Sequence, residues 1–384
     1  MLTSGKARRQ RIKTMKENQK IKVGITHGDT NGIGYEVILK MLEDPRIAQE
    51  ICTPIIYGSG KMVSFYRKGL NLPDFNIVSI SSPDEARMGE VNLINVVPED
   101  VKIEVGTPTK TAGKAAYDSL ERAVNDLRDG AIDVLLTAPI NKDTIQSDTF
   151  HFPGHTEYLE AAAGDGSKSL MILCNDTMRV ALVTTHIPMT KVPEAITKES
   201  VVEKLRLFNA SLKRDFGIEA PRIAVLSLNP HAGENGLIGN EEQDIVTPAI
   251  AEAEKEKILA FGPYPSDGFF GSGAYKNFDG ILAMYHDQGL TPFKALAMNE
   301  GVNFTAGLPF VRTSPDHGTG YDIAGQGVAS PDSMRKALYY AIDIFRNRNN
   351  FDYAIRRPLR KQHFEKGKDN VVLDLTKDDE PIDA

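Results

Sequence analysis

The chain has 384 residues, 41% hydrophobic and 25% charged, so it can bury a large core, and at ~150 residues per domain its length predicts two or three domains. Its 45 basic against 52 acidic side chains leave a formal charge of -7 and a pI near 5.7, which excludes a strong electrostatic footprint for nucleic acid or an anionic membrane. No apolar run reaches the ~18 to 20 residues of a membrane span, and two cysteines, Cys52 and Cys174, make neither a disulfide framework nor a thiolate metal cluster, so a cytoplasmic protein is expected.

In chain order, residues 1–20 carry seven basic side chains and one acid without a hydrophobic stretch. They read as a flexible leader rather than a secretory signal, with Met15 as an alternative start. IKVGIT is the first strand, and the GDTNGIG that follows is neither G-x-G-x-x-G nor a Walker A loop but a tight strand-to-helix turn. Ala112, Ala116, Leu120, Ala123 and Leu127 repeat at helical spacing and predict a helix over Lys110 to Arg128. DVLLTA and RVALVT are the next strands, followed by a helical stripe at Val201, Leu205, Phe208 and Leu212. IAVLSL and GILAMY are strands, and Met334, Leu338 and Ile342 mark a last helix. Residues 366–384 read as a frayed, charged tail. Apolar runs alternating with helical patterns predict an α/β fold with largely parallel strands.

Ligands collect at the carboxyl ends of strands in open α/β sheets, so the residues after each run matter most. IKVGIT is followed by His27 and Asp29, DVLLTA by Asn141 and Lys142, RVALVT by His186, IAVLSL by His231, and GILAMY by His286 and Asp287. Each histidine alone fits a cap or a hydrogen-bonded core residue; the recurrence of His186, His231 and His286 after three strands points to a shared site. Three imidazoles with an open position suit zinc or a similar metal, although the spacings of 45 and 55 residues match no local metal motif. In FPGHTEYLEAA, Thr156 is expected to cap a helix, which would make His155 and Thr156 anion contacts at its N-terminus.

Taken together, TAPINK, FPGHTEYL, TTHIPMTKV, NPHAGENGLIGNEE, MYHDQGLTPFK and VNFTAGLPFVRTSPDHGTGYDIAGQG resemble the 4-hydroxythreonine-4-phosphate dehydrogenase family of pyridoxal 5'-phosphate biosynthesis, from about Ile21 to Phe345. The resemblance implies a divalent metal on His186, His231 and His286, zinc ahead of cobalt, magnesium or manganese. It implies substrate contacts at His155, Thr156, Lys294, Asn303 and Arg312, and a homodimer whose subunits share each active site. GDTNGIGYE replaces the commoner GDPxGIGPE, TPFK replaces PVLK, and Gly320 stands where Ala is usual; none of these removes a proposed ligand. HGTGYDIAG also resembles the adenosine loop of isopropylmalate and isocitrate dehydrogenases. That places His317 and Asp322 at the cofactor, with the Asp322 carboxylate favouring NAD over NADP by repelling a 2'-phosphate.

The implied reaction is NAD-dependent oxidation of 4-phosphohydroxy-L-threonine to a β-keto acid that loses carbon dioxide to give 3-amino-2-oxopropyl phosphate. Asp267, Asp287 and Lys294 are the candidates for the base, and either aspartate could instead orient a ligand imidazole. A dehydrogenase of a 4-phosphorylated erythronate or threonate shares much of this pattern. A metal-dependent hydrolase, a phosphate acyltransferase and a non-catalytic metal-binding protein are the readings from other classes. The implied architecture is two α/β/α domains with a cleft between them, as in isocitrate and isopropylmalate dehydrogenases. One domain would join 21–141 to 285–365 with the cofactor loop, and 142–284 would form the other.

Overall fold

The computed structural model describes residues 20–356 except 74, 165, 298 and 299, so the expected leader (apart from Lys20) and tail lie outside the described residues. The strands are β1 (Lys22–Thr26), β2 (Thr53–Gly58), β3 (Ile77–Ile80), β4 (Val91–Asn95), β5 (Val134–Thr137), β6 (Leu170–Cys174), β7 (Arg179–Leu182), β8 (Arg222–Leu226), β9 (Leu259–Tyr264), β10 (Gly280–Ala283), β11 (Val302–Ala306) and β12 (Val311–Pro315). They form one sheet in the order β3-β4-β2-β1-β5-β12-β11-β6-β7-β10-β8-β9.

The sheet has two parallel sets. β3, β4, β2, β1, β5 and β12 run one way. β7, β10, β8 and β9 run the other way, and β11 and β6, antiparallel to their neighbours, bridge the sets. All five strands expected from apolar runs are present. β5 and β10 are buried at every residue and β8 from Ile223 onward. Strands covered on both faces need no polar alternation, which is why they read as continuous apolar runs.

The helix Lys110–Arg128 has the predicted bounds. It starts where the Thr109 hydroxyl accepts from the Ala112 N–H at 3.2 Å, and its stripe from Ala112 to Leu127 is buried. The helix Lys198–Arg214 begins with a Thr197/Ser200 capping box and buries Val201, Leu205, Phe208 and Leu212. The last helix, Asp332–Arg356, packs on β12 and β11 through a face that includes Met334, Leu338 and Ile342. Within it, buried Arg348 donates from Nε to Asp215 Oδ1 at 2.5 Å and from Nη1 to the Leu308 carbonyl at 3.0 Å. One guanidinium thereby ties this helix to the end of the helix Lys198–Arg214 and to the β11–β12 turn. No helix among the described residues is long and apolar enough to cross a membrane.

Candidate active site

The loops after β5, β7 and β10 and the end of β12 meet over the β11–β6 bridge, around a cleft of about 240 Å³. A larger hollow of about 580 Å³ lies at the far edge, between the helix Gly60–Gly69 and strands β3 and β4, and holds none of the predicted site residues. The cleft gathers His155, Thr156, His186, His286, Lys294, Asn303, Arg312 and His317. These residues are far apart in sequence and share one location because strand ends place them there.

His186 follows β7 and His286 opens the helix His286–Ala297 directly after β10; their ring centroids are 5.7 Å apart. His286 Nδ1 lies 2.7 Å from Asp287 Oδ1, which fixes the ring and leaves Nε2 as the nitrogen for a ligand. His186 Nε2 is 3.4 Å from Lys142 Nζ. Burial first, and then Lys142, hold the His186 pKa below its ordinary value, keeping the ring neutral as a metal ligand requires. His231 is not with this pair. It sits exposed in Pro230–Asn235, where five consecutive residues, His231 to Asn235, have positive φ and turn the chain away from regular helix. Among the described residues, no group of three or more His, Cys, Asp or Glu in the chain could hold a metal ion. One chain thus brings together two of the three expected imidazoles.

Arg312, in β12, is 2% exposed. Its Nε and Nη2 donate to Thr137 Oγ1 at 3.0 and 2.7 Å, and Nη1 donates to Thr305 Oγ1 at 3.1 Å. No carboxylate forms an ion pair with it among the described residues. Burial pulls its pKa down to about 9, against the attraction of Glu157. A buried cation held only by neutral hydroxyls is costly, and an anion in the cleft would offset that cost through charge-assisted hydrogen bonds. Three further polar atoms of cleft residues are buried without hydrogen-bond partners among the described residues: His155 Nε2, Asn303 Oδ1 and His317 Nε2. Burial, Arg312 and Lys142 keep His155 well below its ordinary pKa, so it is neutral at pH 7.

Thr156 is not a cap. Gly154 occupies the N-cap position in extended conformation, no side chain caps the helix His155–Ala163, and Thr156 lies inside its first turn. Thr156 is left on the cleft wall. Of the base candidates, Lys294 lines the cleft, paired with Asp316 Oδ1 at 3.2 Å. Burial raises the Asp316 pKa and Lys294 opposes it. Asp287 is turned to His286 as an orienting group, and Asp267, in the helix Ser266–Gly271, is exposed outside the cleft lining.

Asp322 stands exposed in the loop after β12, without an ion pair among the described residues, a few positions beyond the cleft residues His317 and Gly318. His317 Nδ1 is 3.1 Å from the Gly318 carbonyl, and burial holds its pKa low. Gly320 has φ +56, a left-handed conformation that glycine adopts most readily. The cleft also contains Lys142, Glu157 and Asp316, to which the sequence alone assigned no role. Lys142 was visible as a polar residue after a strand, and Glu157 follows the His-Thr pair directly.

A family model for the pyridoxal phosphate biosynthetic protein PdxA matches residues 50–341. The chain is 59% identical over 365 residues to a 4-hydroxythreonine-4-phosphate dehydrogenase of Bacteroides thetaiotaomicron, covering 95% of this chain and 100% of the relative. It is 44% identical to the enzyme of the same name from Sulfurihydrogenibium, covering 85% and 99%. The crystal structure of the Klebsiella pneumoniae 4-hydroxythreonine-4-phosphate dehydrogenase superposes with a TM-score of 0.75 at 33% identity, covering 85% of this chain and 98% of that one. The chain belongs to the PdxA family of pyridoxal phosphate biosynthetic proteins.

Proposed function

We propose that this oxidoreductase of pyridoxal phosphate biosynthesis, a 4-hydroxythreonine-4-phosphate dehydrogenase like its relatives, oxidises its substrate with NAD in the cleft at the β11–β6 bridge. The observation that carries this reading is buried Arg312, without an ion-paired carboxylate among the described residues, facing the same cleft as the His186–His286 pair. An anionic group of the substrate supplies the missing charge. Asn303 and His155 offer their unpartnered atoms, and Lys294 adds a second cation. With the anion anchored at one end, the alcohol is placed against the histidines, and binding energy from a non-reacting group becomes orientation. The alcohol carbon gives its hydride to NAD and its hydroxyl a proton to a base. The resulting β-keto acid loses carbon dioxide, the electron pair passing to the ketone, to leave 3-amino-2-oxopropyl phosphate after protonation.

His186 and His286 fit a divalent metal, zinc ahead of cobalt, magnesium or manganese, and when bound it would supply Lewis acidity at the alcohol and ketone oxygens. The third imidazole, His231, comes from a second copy of the chain in this reading. Exposed apolar residues support that copy: Leu237 at 83% and Ile238 at 42% share the loop of His231, and Leu259 and Phe261 are exposed on β9, one of the two edge strands of the sheet. Asp322 accepts from the ribose hydroxyls and selects NAD. A cytoplasmic location fits the free, buried thiols of Cys52 and Cys174. NADH absorbance with 4-phosphohydroxy-L-threonine, with and without a chelator, tests the reading. Chelator-sensitive turnover supports it; turnover confined to 4-phosphorylated erythronate or threonate would move the substrate to a sugar acid.

A further inference from the structure

The turn from β1 into the first helix, His27–Ile33, is buried along its whole length yet lies outside the cleft lining. Its acid, Asp29, is 1% exposed and pairs with no cation among the described residues. Asp29 Oδ1 accepts from the Asn31 N–H at 2.9 Å, and Oδ2 accepts from the Tyr321 hydroxyl at 2.9 Å and from Thr144 Oγ1 at 3.5 Å. Burial raises the carboxyl's pKa against these hydrogen bonds.

Two more contacts join the turn to the same loop. The Ile33 N–H donates to the Thr319 carbonyl at 2.9 Å. At Gly320 a Cβ would meet the Ile33 side chain at 3.0 Å, so loop and turn are in close apposition. On its other side the turn is fixed in the protein. Asn31 Oδ1 accepts from the Glu104 N–H at 2.9 Å, Asn31 Nδ2 donates to the Thr107 carbonyl at 2.8 Å, and the Asn31 carbonyl accepts from the Gly106 N–H at 2.8 Å. One side of the turn is therefore anchored, and the other holds residues 319–321. Asp322 is the next residue, with Tyr321 drawn inward and Asp322 left exposed.

We propose that Asp29 and Tyr321 are positioning residues for the cofactor: their hydrogen bond, closed against an anchored turn, sets where the Asp322 carboxylate stands and so sets the affinity for NAD. This rests on reading residues 317–325 as the cofactor loop. Neither residue touches NAD in this account. The bond works by restricting the loop before the cofactor arrives, so that less ordering is required on binding.

Calorimetric titration of the full-length protein with NAD tests the proposal, together with steady-state kinetics. Tyr321→Phe removes one hydroxyl and should raise the NAD Kd at least about threefold, the effect of one hydrogen bond. kcat at saturating NAD should stay within about twofold, because an ordered loop is restored by the bound cofactor. Asp29→Ala should match Tyr321→Phe. Asp29→Asn should keep near-native affinity, since its amide can stand in the same place and donate to the tyrosine oxygen. Asp322→Asn reports on the loop itself. If Asp322→Asn weakens NAD and Tyr321→Phe does not, the positioning role is overturned while the cofactor loop stands. If neither weakens it, both are overturned. A Tyr321→Phe protein whose Kd, kcat and Tm all deteriorate together would also overturn the proposal, by marking the bond as general scaffolding.

Discussion

Arg312 and Arg348 are both almost completely buried, at 2% and 5% exposure, and have opposite surroundings. Arg348 meets the Asp215 carboxylate and a backbone carbonyl, so its charge is compensated within the fold. Among the described residues Arg312 hydrogen-bonds only the hydroxyls of Thr137 and Thr305, and Glu157 attracts it across the cleft without an ion pair. The same side chain is thus a fastening in one place and a prepared receptor in the other. A buried charge that the protein balances serves stability; one that it leaves for a ligand is stabilised only when that ligand binds.

The contrast predicts unequal responses to the same substitution. Arg348→Ala strands the Asp215 carboxylate and should destabilise the protein by about 3–5 kcal/mol, measured by urea unfolding. Arg312→Ala strands no ion-paired carboxylate, and its unfolding free energy should change by less than about 2 kcal/mol in the absence of substrate. Equal losses in the two variants would erase the distinction.

Metal binding sharpens the comparison, since the proposed function also gives the histidines of the cleft a ligand to hold. His186→Ala, His231→Ala and His286→Ala should each lower metal affinity by at least about 10-fold to 100-fold, by analogy with the loss of outer-shell partners alone. Metal analysis of the purified variants checks this. Full occupancy in His231→Ala would remove that residue from the proposed set.

A smaller effect is expected at Asp322. Asp322→Asn keeps the shape but loses the negative charge, so the ratio of kcat/KM for NAD over NADP should fall several-fold, on the order of one charge-assisted hydrogen bond. An unchanged ratio would send the choice of cofactor to other residues.

The smallest effect belongs to Arg214 and Asp352, a half-exposed pair joined by bonds of 2.9 and 2.7 Å. The Arg214 guanidinium holds the Asp352 carboxyl below its ordinary pKa. The pair's stabilisation is therefore full above the ordinary carboxylate pKa and is lost as pH falls through the lower value of the folded state. Asp352→Asn should cost no more than about 1 kcal/mol at neutral pH and should reduce the acid dependence of unfolding in that window.

Much of the fold was legible because apolar periodicity reports burial. The stripe from Ala112 to Leu127 marked its helix, and five strands stood out as continuous apolar runs. β12, with sequence VRTSP, was hidden because its buried residues are polar and satisfied by neighbours rather than apolar. β9 was hidden because an edge strand half exposed and half intermediate along LAFGPY has no clear pattern. In the site, strand ends and the family resemblance located eight cleft residues. Lys142, Glu157 and Asp316 remained without a role because proximity across the bridge is a tertiary fact. The separation of His231 from His186 and His286 was likewise invisible, since spacing along a chain does not say where a loop folds.

The central claim, that the uncompensated charge of Arg312 is reserved for the phosphate of the substrate, is tested most directly by comparing 4-phosphohydroxy-L-threonine with its dephosphorylated analogue in native and Arg312→Ala proteins. The account predicts that kcat/KM for the phosphorylated substrate falls by about 100-fold or more, as for removal of a buried charge partner, while the analogue's already low value changes little. Loss by the same factor for both substrates would contradict it and assign Arg312 to the carboxylate or to the scaffold.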